Sequence, residues 1–235
     1  MLSVNTIYPA FMGEVNKYGI GAPCTFVRLA GCNLNCYFKT KGVHCDTPEA
    51  LSPVGAKMIY NREIVEEVMK YGNKLVCLTG GEPLLQDVRP LVQFLGSRGV
   101  DVVIETNGSI AIDSFRLKNA SFVVDYKSSS SGENAKMRAI NYSIMGQGDF
   151  LKFVVDTEED YEEALDFYKK YGWSPFGFAI GTFWGSKVSY QWLIERMQKD
   201  NFKAHLNMQT HKMACLYDKY KENSDFSKLI IPKNL

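Results

Sequence analysis

Leu75-Val76-Cys77-Leu78-Thr79-Gly80-Gly81-Glu82-Pro83 decides the reading of this chain. A short apolar run ends in a Gly-Gly turn, and Val88 to Arg98 then places apolar residues at three- and four-residue intervals. Val102-Val103-Ile104-Glu105-Thr106-Asn107-Gly108 repeats the pattern of an apolar run closed by a turn. Strand, helix and strand in this order predict a parallel sheet with a crossover helix. Working outward, the same alternation recurs. Strands are expected at Thr25 to Leu29, Phe122 to Asp125, Leu151 to Val155, Phe176 to Ile180 and Ala204 to Met208. Helices are expected at Arg62 to Tyr71, Glu158 to Tyr171 and Ser189 to Lys199. Thr79 to Glu82, Glu105 to Gly108 and Asp125-Tyr126-Lys127 each fall just past the carboxyl end of a strand, the edge where parallel α/β folds build their sites. Lys39 to Met58 and Ser128 to Gly148, rich in Gly, Ser, Lys and Asn, read as functional loops.

Composition narrows the class. With 235 residues and 46% apolar content, the chain has enough material for a sizeable core. Its 27 basic and 26 acidic residues leave a net charge of +1, which supplies no general field for nucleic acid. No apolar stretch reaches membrane-spanning length, and Met1 to Ile7 lacks the basic start and apolar run of a secretory signal. A cytoplasmic protein acting on a small neutral or anionic molecule is expected, without nucleic-acid or membrane partners. Six cysteines in that compartment remain thiols or bind metal.

Cys32, Cys36 and Cys45 cluster in the first fifth of the chain. Three thiolates on a four-iron cluster leave one iron open for a ligand, whereas four would complete an electron carrier. Cys32, Cys36, His44 and Cys45 also form a Cys3His set that a structural zinc could take. Cys24, Cys77 and Cys215 lie in or near apolar segments and read as buried thiols, with Cys24 a reserve ligand. The glycines of Thr79 to Pro83 permit a sharp turn whose amide and carbonyl groups could bind the ends of an amino acid, or form a plain strand-to-helix turn.

With these residues assembled, the chain resembles the 7-carboxy-7-deazaguanine synthase family of radical S-adenosylmethionine enzymes. Met12-Gly13-Glu14, Gly21-Ala22-Pro23 and Phe26 to Leu34 resemble its front segment, and Met208-Gln209-Thr210-His211-Lys212 its closing motif. Thr79 to Pro83, Ile104 to Gly108 and Asp125-Tyr126-Lys127 fill the middle. Three departures stand out. The superfamily spaces its cysteines CxxxCxxC, but here the eight residues Tyr37 to His44 separate Cys36 from Cys45, which reads as a loop inserted ahead of a retained ligand. A usual Gln-Gly-Glu-Gly is Met12-Gly13-Glu14-Val15, and a usual Ser-Pro-Lys is Asp125-Tyr126-Lys127.

The resemblance implies one domain over residues 1–235, an incomplete (β/α) barrel open on one side, with an extended cluster loop at about 32–58. It implies conversion of 6-carboxy-5,6,7,8-tetrahydropterin to 7-carboxy-7-deazaguanine with loss of ammonia. The one-electron reduction of S-adenosylmethionine would yield a 5′-deoxyadenosyl radical that takes hydrogen from C6 of the pterin. A homodimer, an external one-electron reductant of the flavodoxin or ferredoxin type and Mg²⁺ are implied with it. By the same carry-over, Cys32, Cys36 and Cys45 hold the 4Fe-4S cluster and Thr47 the Mg²⁺. His44, Asp46, Gly80, Gly81, Glu82, Asp125, Tyr126 and Lys127 contact the cofactor. Phe11, Met12, Gly13, Glu14, Arg28, Thr79, Gln209 and His211 contact the substrate.

Several of these carry a physical rationale of their own. Arg28, charged within an apolar strand, suits a bidentate grip on a carboxylate or an internal salt bridge. The Thr47 hydroxyl suits a hard cation or a turn, and Glu14 can accept from ring N–H groups or cap a turn. An activase that makes a glycyl radical on a partner protein would share the cysteines and Gly80 to Pro83 but not Arg28 or Gln209 to Lys212. A zinc-stabilised binding module is the reading from a different class. The aromatic stretch Phe176, Phe178, Phe183, Trp184 reads as core.

Overall fold

A computed structural model describes residues 1–38, 42–45, 47–183, 186 and 188–210, with backbone alone at 38, 43 and 44. Its centre is a nine-stranded sheet. The strands are β1 (Leu2–Phe11), β2 (Pro23–Leu29), β5 (Lys57–Ile59), β6 (Leu75–Gly80), β7 (Asp101–Thr106), β8 (Ala120–Tyr126), β9 (Phe150–Val155), β10 (Gly177–Thr182) and β11 (His205–Leu206). Between β2 and β5, β3 (Tyr37–Phe38) and β4 (Val43–His44) pair by themselves as a small hairpin. The sheet order is β11-β10-β9-β8-β7-β6-β2-β1-β5. From β2 to β11 all neighbours are parallel, while β1 runs antiparallel to both β2 and β5. β11 and β5 end the sheet without meeting, so the curved sheet is an open (β/α) barrel.

Four longer helices, α1 (Asn61–Lys70), α2 (Arg89–Ser97), α4 (Glu158–Tyr171) and α5 (Tyr190–Lys199), lie close to the expected ranges, and a short α3 (Ile140–Ile144) sits within the loop expected at 128–148. Each longer helix turns an apolar stripe to the sheet: Ile64, Val65 and Val68; Leu91, Val92 and Leu95; Tyr161, Ala164 and Leu165; Leu193. They meet Val27, Leu29, Val76, Leu78, Val102, Ile104, Phe122, Val124, Leu151 and Phe153 in one core. Each large side chain so buried contributes roughly 1.5–3 kcal/mol. Thr157 and Asp160 close a reciprocal capping box on α4, which accounts for its sharp start.

Side chains alternate across a strand, so the residues between those core positions point into the barrel. Cys24, Leu75, Cys77, Val103 and Val123 join Met12 as an apolar floor. Two residues further on, toward the carboxyl edge, the inward positions turn polar: Thr79, Glu105 and Asp125.

Four strands, β1, β3, β4 and β5, were not legible. β1 carries Pro9 and an irregularity between Val4 and Thr6, where Asn5 is the extra residue opposite the Arg28–Leu29 step. The bulge breaks the two-residue period by which a strand is read. Pro9 is tolerated because β5 pairs only with Leu2 to Val4, leaving β1 an edge at Pro9. β11 is shorter than Ala204 to Met208.

Candidate active site

The hairpin of β3 and β4 explains the unusual cysteine spacing. Tyr37 pairs with His44, and Cys36 and Cys45 are the residues flanking that pair. The eight-residue insertion is thus pinched off, and its two bounding thiols emerge from neighbouring strands. Cys32 lies close enough to Cys36 to raise its pKa, after burial, the larger cause; the Lys127 ammonium acts in the opposite direction. Cys32 and Cys45 are half-buried and Cys36 is buried. Glu133 anchors the loop by accepting from the Asn35 amide at 2.8 Å, and the Thr47 amide lies 3.4 Å from Cys45 Sγ. Among the described residues no three His, Cys, Asp or Glu side chains close round a single ion. Ligands of one zinc all lie about 2.0–2.3 Å from it, whereas thiolates on separate irons of a cluster need not converge. Three soft thiols at the mouth of a barrel fit a cluster with one open iron. Asp46 lies outside the described residues, as does the side chain of His44.

The glycine turn holds this loop in place. The amides of Gly81 and Glu82 donate to the carbonyls of Leu29 (3.0 Å) and Gly31 (2.8 Å). Gly80 has φ +127°, and a Cβ there would overlap the Leu29 backbone; a Cβ on Gly81 would overlap Gly31. The glycines are therefore needed for close approach of one backbone to another, and the two amides are not available to a ligand, contrary to the sequence expectation. Glu82 differs too. At 0% exposure its carboxylate accepts from the Leu84 amide, Thr106 Oγ1 and the Asn107 amide. Burial pushes it up to about 7 in spite of these bonds. Glu82 braces the turn against the end of β7; its side chain is not presented to a cofactor.

Below the thiols an ion-paired chain crosses the barrel. Lys127 Nζ reaches Asp125 Oδ2 at 2.8 Å, Lys152 Nζ lies 2.8 Å from Asp125 Oδ1 and bonds Glu14 Oε2, and Gln209 Nε2 donates to Glu14 Oε1 at 2.8 Å. Burial disfavours charge throughout, yet the Lys152 ammonium holds Glu14 below its ordinary range, and Lys127 with Lys152 does the same for Asp125. Glu105 accepts from Thr79 Oγ1 at 2.9 Å; burial and the nearby Glu14 carboxylate push it upward. On the β2 side, buried Arg28 donates to the Tyr8 hydroxyl at 3.2 Å and faces Glu49 at 3.8 Å. Glu49 is the carboxylate neighbour that the internal salt-bridge reading of Arg28 expects, at a distance beyond hydrogen-bond length.

The front and closing motifs meet in space. Thr210 donates through its amide and hydroxyl to the Gly13 carbonyl at 3.0 and 3.2 Å, and the Val15 amide donates to Asn207 Oδ1 at 2.8 Å. Met12 is buried in the floor, and its amide and carbonyl bond Ala22 and Gly21. Phe11 turns outward at 54% exposure, so the substrate contact expected around Phe11 to Gly13 is one of backbone groups and not of these two side chains. Tyr126 is a further correction. Strand alternation turns its ring to the helices, against Phe153 and Phe167, with its hydroxyl donating to Glu163 at 2.9 Å. The Thr47 hydroxyl does not cap the turn at Pro48–Ala50. His211 lies outside the described residues.

Sequence reasoning passed over Lys152, Glu105 and Asn107. Lys152 carries the same signal that singled out Arg28, a charge inside an apolar strand. Glu105 and Asn107 stood in a noticed motif without an assigned part.

An open parallel barrel whose carboxyl edge carries three thiols above a polar, ion-paired interior defines the radical S-adenosylmethionine class of enzyme. No protein-family model matches the chain. It is 34% identical to the 7-carboxy-7-deazaguanine synthase of Clostridium acetobutylicum, over 85% of this chain and 91% of the relative. The Methanospirillum hungatei protein of that name is 34% identical over 92% and 86%, and that of Thermoplasma acidophilum 30% over 89% and 95%. The crystal structure of QueE from Escherichia coli has the same fold, with a TM-score of 0.69 at 20% identity over 88% of this chain and 93% of that one. The chain belongs to the 7-carboxy-7-deazaguanine synthase family.

Proposed function

We propose that this chain binds a 4Fe-4S cluster on Cys32, Cys36 and Cys45 and, with S-adenosylmethionine, converts 6-carboxy-5,6,7,8-tetrahydropterin to 7-carboxy-7-deazaguanine and ammonia. The observation that carries the proposal is the pairing of Tyr37 with His44, which sets the two widely spaced thiols beside each other at the mouth of a polar barrel. When bound, the cluster and cofactor supply a one-electron reduction and hydrogen abstraction from the substrate.

The residues of the chain bind and orient. Arg28 presents a cation from β2 for the pterin carboxylate. Glu14, kept ionised by Lys152, presents an acceptor for the amino and N–H donors of the pyrimidine edge. Thr79 and Glu105 stand on the strands between them. With the Gly81 and Glu82 amides engaged, the carbonyls of Thr79 to Gly81 suit the ammonium of the cofactor's methionine end, and Lys127 suits its carboxylate. Cys77, Val103 and Val123 close the floor beneath these groups with buried apolar side chains. A zinc-stabilised module has no use for buried Glu14, Arg28 and Lys152, each costly to desolvate, and family membership sets aside the activase reading. Mg²⁺ at Thr47, a flavodoxin- or ferredoxin-type reductant, a homodimer and a single domain over 1–235 belong to the same proposal and rest on the likeness to relatives. No helix among the described residues is long and apolar enough to cross a membrane.

Anaerobic reconstitution with iron and sulfide, followed by addition of S-adenosylmethionine, dithionite and the pterin, tests the assignment. A brown protein that forms 7-carboxy-7-deazaguanine, with activity lost in Cys45→Ala and kept in Cys24→Ala, is expected. A colourless protein, or a brown one that cleaves S-adenosylmethionine without using the pterin, would overturn it.

A further inference from the structure

We propose that Asn107 is a positioning residue for the iron-sulfur cluster whose side-chain amide donates to the Cys32 sulfur and raises the cluster's reduction potential. The inference rests on the reading that Cys32 is a cluster ligand. Asn107 follows the last residue of β7 and is 7% exposed. Its Nδ2 lies 3.7 Å from Cys32 Sγ and 3.1 Å from Asn33 Oδ1. Which end of an amide carries the nitrogen has to be inferred from its partners, and here they leave one choice. The Ser109 backbone N–H, which can only donate, points at Asn107 Oδ1 at 3.0 Å, and the Ser109 hydroxyl donates to the same oxygen at 2.6 Å. The NH₂ group must therefore face Cys32 and Asn33.

Asn107 is held in two further ways. Its backbone N–H donates to Glu82 Oε2 at 2.6 Å, tying it to the glycine turn. Asn33 Nδ2 donates to Ser109 Oγ at 2.8 Å, closing a ring of Asn107, Ser109 and Asn33. The backbone around Cys32 is also fixed, its amide donating to the Leu51 carbonyl at 3.0 Å. Donor and sulfur are thus held relative to each other, through Glu82 to Gly31 and through Asn107 to Asn33, on either side of Cys32. An N–H aimed at a ligand sulfur favours the form with more electron density on sulfur. Reduction adds that density, and hydrogen bonds to the sulfurs are among the features that set cluster potentials.

Potentiometry of the reconstituted enzyme, followed by EPR of the reduced cluster, tests the inference. Asn107→Ala should shift the midpoint to more negative potential at unchanged iron and sulfide content. Ser109→Ala keeps the Ser109 N–H on Oδ1 and so should keep the wild-type midpoint. An unshifted Asn107→Ala, or an equal shift in both variants, overturns the proposal. If Asn107→Ala fails to hold a cluster, wild type labelled with side-chain ¹⁵N-asparagine supplies the readout: pulsed EPR of the reduced cluster without added S-adenosylmethionine should show a ¹⁵N coupling, and its absence overturns the proposal. A wild-type protein that takes up no cluster refutes the cluster assignment itself, a separate result.

Discussion

Asp125 and Lys152 face each other in register on the neighbouring parallel strands β8 and β9, and their side chains meet at 2.8 Å inside the barrel. Lys152 is 6% exposed and also bonds Glu14, so one ammonium bridges a carboxylate on β8 to one that follows β1, 111 positions earlier in the chain.

Removing that cation leaves Glu14 with Gln209 as its remaining polar partner, while Asp125 keeps Lys127. Lys152→Met is expected to cost about 3–5 kcal/mol of stability, the usual penalty for breaking a buried pair from one side. Urea denaturation of the apo chain measures it, and Lys152→Arg should recover part of the loss. A cost within 1 kcal/mol would mean that the network is solvated.

The network also sets a pH dependence. Glu14 and Asp125 have folded pKa values depressed below their ordinary ones. Their stabilisation is present above the unfolded values of about 4 and is lost as pH falls through the folded ones, because the unfolded state then binds more protons. Glu82 runs the other way. With its pKa raised to about 7, the native state holds the extra proton between the unfolded value and 7. Its contribution therefore weakens as pH rises through that window, by at most about 1.4 kcal/mol per pH unit. Stability measured from pH 4.5 to 7.5 should lose this falling component in Glu82→Gln.

Gly80 and Gly99 both have positive φ but differ in surroundings. A Cβ on Gly80 overlaps the Leu29 backbone, while a Cβ on Gly99 meets nothing within 4 Å. Gly99→Ala should lose only the left-handed strain of about 1–2 kcal/mol. Gly80→Ala must push the loop before Cys32 away. Thermal melting and iron content compare them: a marked loss of both is expected for Gly80→Ala alone.

Burial pushes the Cys24 thiol up to about 12, and burial also raises Cys77. Iodoacetamide on the native apo protein should modify Cys32 and Cys45 and leave Cys24 and Cys77, since the thiolate is the nucleophile. Peptide mass spectrometry reads the pattern. Early modification of Cys24 would contradict the closed floor.

Arg28→Met should raise the KM for the pterin roughly 10- to 100-fold, as expected for the loss of a charge-assisted bond of about 1.5–3 kcal/mol. Binding of S-adenosylmethionine should be unaffected. Steady-state kinetics with each ligand varied in turn separates the two.

The alternation of apolar runs and helical stripes determined the parallel sheet, the order of its elements and the edge at which the motifs cluster. These are local properties: strand and helix periods come from backbone geometry and are written in consecutive residues. The three thiols and Arg28 were legible for the same reason, as unusual residues in plain local settings. β1 escaped because a bulge and a proline interrupt its period.

Only the tertiary structure decided which polar groups meet. Glu14 and Lys152 are 138 positions apart, and Glu14 and Gln209 are 195. Their contact depends on strand register and on how far the sheet curves, which no local pattern encodes. The same holds for the Tyr37–His44 pair that joins Cys36 to Cys45, for the turn amides that bond backbone instead of ligand, and for Tyr126, whose place on β8 turns it away from the site. A residue's type sets what chemistry it can do; the packed fold sets its partners, and in a buried site the partners decide its charge.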